Sequence, residues 1–293
     1  AKFQGVPARI PAAAMQYMNG STDRAFLNDL KLQDALSGNF VELGTGDKRQ
    51  SIAVLIWGDS HAMAVLPIVD LLCKEHAVRG VAATHASTGP LVGFESTGIA
   101  SLGKESIAYN NAVVAFIRGK RVRNVVLVGN WNGYLRPDMN IAPLRRGFRN
   151  TIAALKDTGA SIWIMQDVPQ QRCNNAPAAL AASVILHHGN PEEFGVPLVE
   201  HQQDRQTLNP IFEELAALSP RVTVLDPTGL FLTPKRTCRM ARNGKALYFD
   251  STHLTVAGAM ELRPLFHPLF TANGGRALSL GAPASRRSPS KPL

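Results

Sequence analysis

Two short stretches carry residue types that together perform nucleophilic chemistry. Gly58-Asp59-Ser60-His61 closes the apolar run 52–57 and is followed by a helix-period stretch. Asp250-Ser251-Thr252-His253 lies far downstream, just before another helix-period stretch. A serine placed where strand gives way to helix sits beside free backbone N–H groups and the positive end of the helix dipole. It can attack a carbonyl while its own N–H helps to hold the oxyanion. Its hydroxyl is a poor nucleophile unaided and requires a base. Asp250 and His253 share one turn, so the carboxylate can reach one imidazole nitrogen and leave the other facing the serine. The bland alternatives are a tight turn at 58–61 and a helix cap at Asp250, Ser251 or Thr252. His61 diverges from Ser60 on a helix. It reads as a pocket-lining or capping residue rather than the base.

The elements that must position these residues follow from hydrophobic periodicity. Val- and Ile-rich runs recur at 52–57, 78–84, 122–129, 161–168 and 222–226. Helix-period stretches lie between and after them, at 61–76, 104–119, 142–157, 199–218 and 255–270. Strand alternating with helix implies βαβ units and a parallel sheet covered on both faces. The expected fold is α/β: a three-layer α/β/α sandwich around a five-stranded parallel sheet, flavodoxin-like, in the order 2-1-3-4-5. Its crevice would open between the first and third strands. One lip is then Gly58-Asp59-Ser60-His61 and the other Gly129-Asn130-Trp131-Asn132. The stretches 170–198 and 227–249 read as long loops at the rim, where substrate contacts usually sit. Residues 1–50 carry no strong period beyond a candidate helix at 23–35. They read as an extension or linker packed on a catalytic domain at 51–272. Residues 273–293, rich in Gly, Pro, Ser and basic side chains, read as a disordered tail.

Of the 293 residues, 45% are hydrophobic and 18% charged, which supports a sizeable core. The net charge of +9 suits an anionic neighbour. The cations are nevertheless spread along the chain, in small groups such as 120–123 and 145–146, and read as solvated surface. No nucleic-acid-binding signature is present, and four Tyr and three Trp offer little to stack on bases, so no nucleic acid partner is expected. No run of 18 apolar residues crosses a membrane. No CxxC or HxxxH spacing suggests a metal, and no cofactor is called for. Cys73 falls in an apolar helix pattern as a small buried hydrophobe. Cys173 and Cys238 lie in polar loops and either form one disulfide or stay free. The chain opens on Ala without a signal peptide, and so reads as a processed or excised piece.

The two chemical blocks, in this order, resemble those of the SGNH or GDSL-type serine hydrolases over residues 51–270. The resemblance implies Ser60 as nucleophile, His253 as base and Asp250 as orienting acid. A narrower likeness rests on "GDSHA" with Pro67 soon after, "STGPL" (87–91), "WNGY" (131–134), "DSTHLTVAGA" (250–259) and the N-terminal "GVPARIP" (5–11). These resemble the SGNH domain fused behind membrane acyltransferase-3 proteins, which O-acylate bacterial surface polysaccharides outside the cytoplasm. The implied function is a periplasmic serine-dependent O-acyl transfer, acetyl foremost, to hydroxyls of a surface polysaccharide such as lipopolysaccharide. The implied donor is a membrane acyltransferase domain that also tethers the chain to the inner membrane. Nothing in the chain resembles a coenzyme A site. A carbohydrate O-acetyl esterase and a non-catalytic glycan-binding module are the alternatives. The family's oxyanion donors map onto Ser60 and Gly89. Trp131 stands where the family carries an asparagine, so Asn130 or Asn132 is the candidate replacement, with turn chemistry as the alternative for both. His61, Trp131 and Tyr134 are candidate substrate-binding residues. For Trp131 and Tyr134 the choice is between sugar stacking and core cover.

Overall fold

The computed structural model describes residues 10–23, 28–135 and 141–271. The expected tail at 273–293 and most of the 5–11 segment lie outside the described residues. Helices α1 (Ala12–Met18) and α2 (Leu32–Ser37) and strand β1 (Val41–Gly44) come first. The alternating units follow: β2 (Ile52–Gly58), α3 (Ser60–Glu75), β3 (Arg79–Thr84), α4 (Glu105–Lys120), β4 (Asn124–Val128), α5 (Ala142–Leu155) and β5 (Ser161–Met165). Next come α6 (Ala176–Ile185), β6 (Gly195–Pro197), α7 (Leu198–Asp204), α8 (Asn209–Leu218) and β7 (Val222–Leu225). The chain continues through α9 (Thr228–Phe231), β8 (Thr237–Arg239), β9 (Ala241–Arg242), β10 (Lys245–Ala246), α10 (Val256–Glu261) and α11 (Arg263–Phe266). Among the described residues no helix is long and apolar enough to cross a membrane.

The central sheet runs β1-β3-β2-β4-β5-β7. Its five parallel strands take the expected order 2-1-3-4-5. The sixth is a correction: β1 pairs antiparallel with β3, Val41 opposite Ala82 and Gly44 opposite Arg79. Part of the segment read as an extension therefore belongs to the sheet. With only Leu43 of its four residues buried, β1 is too short and too exposed to show a period.

The strands read as unbroken apolar runs because both faces are covered. Along β2, Val54 and Ile56 enter one core with α3, α10, α1 and α6. Leu55 and Trp57 enter the other with α4, α5 and α8. Each fully buried side chain of this size contributes roughly 1.5–3 kcal/mol. The rim differs from expectation. The stretch 170–198 is no loop, for it contains α6. Asn175 accepts from Ala178 N at 3.0 Å and Pro177 stands in the first turn. Those residues start a helix rather than interrupt one. The stretch 227–249 holds α9 and the short strands β8 to β10.

Cys173 and Cys238 are free, which corrects the disulfide alternative. Cys238 lies opposite Val196 in the β6–β8 pair and packs in a small cluster with Val196 and Leu198. Cys173 sits against the larger core, 3.9 Å from the Met240 sulfur. Different clusters hold the two thiols.

Candidate active site

Strand β2 delivers Ser60 to the first turn of α3. The hand-over needs glycine at 58, since a Cβ there would lie 1.7 Å from the Val128 carbonyl oxygen. Asp59, 1% exposed, caps the helix: its Oδ1 accepts from His61 N at 2.8 Å. Its Oδ2 accepts from Asn130 N at 2.8 Å and from the Tyr134 hydroxyl at 2.7 Å. One buried carboxylate therefore ties the two lips of the crevice together. Burial pushes the Tyr134 phenol well above its ordinary pKa, with the Asp59 charge adding to the effect, so it remains a neutral donor.

The second block arrives on a locked turn. Phe249 N donates to the His253 carbonyl at 2.8 Å, and Gln171 N donates to the Ser251 carbonyl at 2.7 Å. The cap of α10 is Thr255, which accepts from Gly258 N at 3.0 Å. Glycine is required at 258, where a Cβ would meet the Leu247 carbonyl at 1.9 Å. Relieved of capping, Asp250 turns inward. Its Oδ1 accepts from the backbone N–H groups of Thr252 and His253, each at 2.8 Å. Its Oδ2 lies 2.8 Å from His253 Nδ1, and His253 Nε2 lies 2.8 Å from Ser60 Oγ. Burial acts to raise the Asp250 pKa, but the hydrogen bond from the His253 ring, the two backbone donors and the histidine charge outweigh it. The carboxyl is held well below the usual range and stays ionised.

His61 does not enter this series. Its ring centroid lies 4.6 Å from that of His253. Desolvation lowers its pKa to about 4, so a neutral imidazole backs His253.

A cleft of about 180 Å³ opens beside Ser60, walled by Ser87, Phe94, Asn130, Tyr134 and His253 among others. Of the predicted oxyanion donors, Ser60 and Asn130 reach it. The Asn130 Oδ1 accepts from Gly133 N at 3.0 Å, which leaves the amide NH₂ end for a ligand. Gly89 and Asn132 stand outside the wall. Gly89 N donates to the buried Ser96 hydroxyl at 3.0 Å, and its carbonyl accepts from Asn110 Nδ2 at 2.9 Å. Its missing side chain serves Tyr134, whose ring would lie 3.3 Å from a Cβ at 89. Asn132 N donates to Asp167 Oδ2 at 3.3 Å. Trp131 is 0% exposed, with Nε1 donating to the Met165 carbonyl at 2.7 Å and its ring 4.7 Å from that of Phe148. It is core cover, and the sugar-stacking alternative for it is corrected. Tyr134 keeps one edge in the cleft.

Two residues of this region carry no site role in the reading of the sequence. Ser87 takes a left-handed backbone, φ 53°, at the cleft wall. Strain of that kind gathers at functional sites, but no single sequence signals it for serine. Asp167 follows β5 and accepts from Trp131 N at 2.9 Å. Burial, against those backbone donors, raises its carboxyl to about 7. Its place after a strand of a parallel sheet was the available clue.

A serine at a strand-to-helix turn, a His-Asp pair on a late loop and this strand order define the SGNH hydrolase class of α/β folds. The chain matches the family described as "SGNH domain (fused to AT3 domains)" over residues 28–268, and it belongs to that family. The periplasmic domain of the lipopolysaccharide acetyltransferase of Salmonella ser. Paratyphi A has a similar fold. Its TM-score is 0.61 at 16% identity, over 90% of this chain and 98% of that one. A GDSL-like lipase from Bacteroides thetaiotaomicron aligns with a TM-score of 0.44 at 10% identity, over 87% of this chain and 98% of that one. None of the curated proteins matches the chain in sequence. Membership of this family supports an acyl-related role.

Proposed function

We propose that the chain is an extracytoplasmic O-acyltransferase domain that acetylates hydroxyls of a bacterial surface polysaccharide through an acyl-serine intermediate. The observation that carries this reading is the series Ser60 Oγ, His253 Nε2, His253 Nδ1, Asp250 Oδ2, with both contacts at 2.8 Å. Ser60 Oγ attacks the donor's acyl carbonyl as His253 Nε2 takes its proton. The Ser60 N–H and the Asn130 amide hold the oxyanion. Collapse breaks the donor's C–O bond, and the departing oxygen takes the proton from His253. A sugar hydroxyl then enters, gives its proton to His253 and attacks the acyl-serine. On collapse the C–Oγ bond breaks and Ser60 recovers the proton. Ionised Asp250 stabilises the imidazolium formed in each half. The small cleft between Phe94 and Tyr134 suits an acetyl group. A polysaccharide acceptor and a place outside the cytoplasm are supported by likeness to the Salmonella domain. A membrane acyltransferase domain as donor is supported by the fusion that names the family.

A second reading, an O-acetyl esterase, is favoured by solvent access. The His253 and Asp250 side chains keep 33% and 28% exposure, so water can reach the acyl-serine. The test supplies an activated acetyl ester with and without bacterial polysaccharide and follows acetyl by mass spectrometry. Acetyl on Ser60 and then on glycan supports transfer. Release as acetate, indifferent to glycan, supports the esterase. Turnover unchanged in Ser60→Ala overturns both, and turnover no faster than the uncatalysed ester leaves a binding module.

A further inference from the structure

Cations scattered in the sequence gather on one edge of the sheet. In a parallel sheet every strand starts at the same side, so residues just ahead of the strands become neighbours. The register places Arg79 opposite Ile52, Asn124 opposite Val54 and Ser161 opposite Asn124. Backbone bonds tie the same edge together: Arg123 N donates to the Ile52 carbonyl, Ser161 N to the Arg123 carbonyl and Ile162 N to the Arg221 carbonyl. The Arg79 guanidinium donates to the Lys48 and Gln50 carbonyls, and the Arg221 guanidinium to that of Gly159. Lys48, Lys120, Arg121, Arg123, Lys156 and Arg221 are all exposed along this row. None has an ion-pair partner among the described residues, whereas Asp47 and Glu42 here are each paired, with Arg49 and Arg79. Asp157, also exposed at this edge, has no ion-pair partner among the described residues. Across five parallel strands the row extends about 19 Å.

Helix dipoles account for part of this. Lys120 and Lys156 lie at the carboxyl ends of α4 and α5, where cations are favoured. Lys48, Arg123 and Arg221 stand on connections, where no dipole calls for them. The described residues end at this edge too, since Thr271 shares a surface hollow with Arg123 and Ser161. The sequence beyond carries Arg276, Arg286, Arg287 and Lys291 and no acid. That segment is of like charge and does not suit the row as its occupant.

We propose that this edge docks on an anionic lipid surface. A broad row of unpaired cations matches an extended layer of phosphates by Coulomb attraction, without a groove. The row also lies at the opposite end of the strands from Ser60, roughly 23 Å away for the seven residues of β2. A glycan held there would gain nothing at the nucleophile. The inference stands whether or not Ser60 is the nucleophile.

The test is flotation of the whole chain with two kinds of vesicle, phosphatidylcholine alone and phosphatidylcholine mixed with phosphatidylglycerol. Binding is expected only with the anionic lipid, weakening as salt rises. The variant Lys120→Gln/Arg121→Gln/Arg123→Gln should lower the partition coefficient by about 100-fold. A control, Lys104→Gln/Arg146→Gln/Lys245→Gln, removes equal charge elsewhere and should lower it far less. Equal losses in the two triples, binding to neutral vesicles, or no binding at all overturn the proposal. So does triple-dependent binding to soluble dextran sulfate with none to vesicles, which would make the edge a polyanion reader.

Discussion

The two edges of the central sheet are built on opposite principles. At the carboxyl edge, polar groups are committed to named partners: Asp59 alone accepts three hydrogen bonds, and Asp250 accepts two from backbone and one from His253. Glycines at 58 and 258 let backbones approach more closely than any side chain permits. At the amino edge the cations of the row are exposed and have no ion-pair partner among the described residues. The first edge fixes a few atoms to within a hydrogen bond's tolerance, as chemistry requires. The second spreads charge, as long-range attraction requires. Precision and reach are thus divided between opposite ends of the same strands.

The contrast is broken most directly at Ser60. Ser60→Ala is expected to lower acetyl-ester turnover by about 10⁴-fold or more while the fold persists, and retention of most activity would remove chemistry from this edge. Asn130→Asp comes next. The carboxylate still accepts from Gly133 N but offers no donor, so kcat should fall by about 10²–10³-fold with a smaller change in KM. Then comes Gly58→Ala, whose methyl collides with the Val128 backbone. Urea unfolding should register a loss of about 3 kcal/mol.

Asp167 sharpens the comparison through pH. Its folded carboxyl titrates near 7, above the unfolded value, so the native chain keeps a proton that the unfolded chain releases. Native stability therefore falls as pH rises from about 4 to 7, by at most about 1.4 kcal/mol per pH unit, and levels off above. Asp167→Asn loses one acceptor at every pH but also loses this slope. The melting temperature of the variant minus that of the parent should climb across the window, and a flat difference would contradict the buried proton. The smallest effect belongs to the other edge. The 120/121/123 triple variant should change acetyl-ester turnover less than about twofold, because exposed substitutions far from a site act weakly.

How much of this was legible varies with sequence distance. The five parallel strands were readable, because burial on both faces writes long apolar runs. β1 was not, being four residues with a single buried side chain. α6 was misread because Asn175 and Pro177 punctuate loops and begin helices alike, and only the Ala178 hydrogen bond separates the two. Ser60, Asp250 and His253 stood out by type and order, and the structure brings them within 2.8 Å contacts. Gly89 and Trp131 stood out equally by pattern. The structure gives both to packing, one beside Tyr134 and the other under Phe148.

By itself the sequence determined the layered architecture and the candidate chemical groups. Periodicity and residue type are local properties, and each element's burial is written in its own few residues. Only the tertiary structure decided which polar atoms remain free. That depends on partners far away in the chain: Ser96 for Gly89, Asp59 for Asn130 and Tyr134, Asp167 for Trp131. It also decided that dispersed cations form one row, because parallel strands bring every strand start to the same edge whatever the sequence separation.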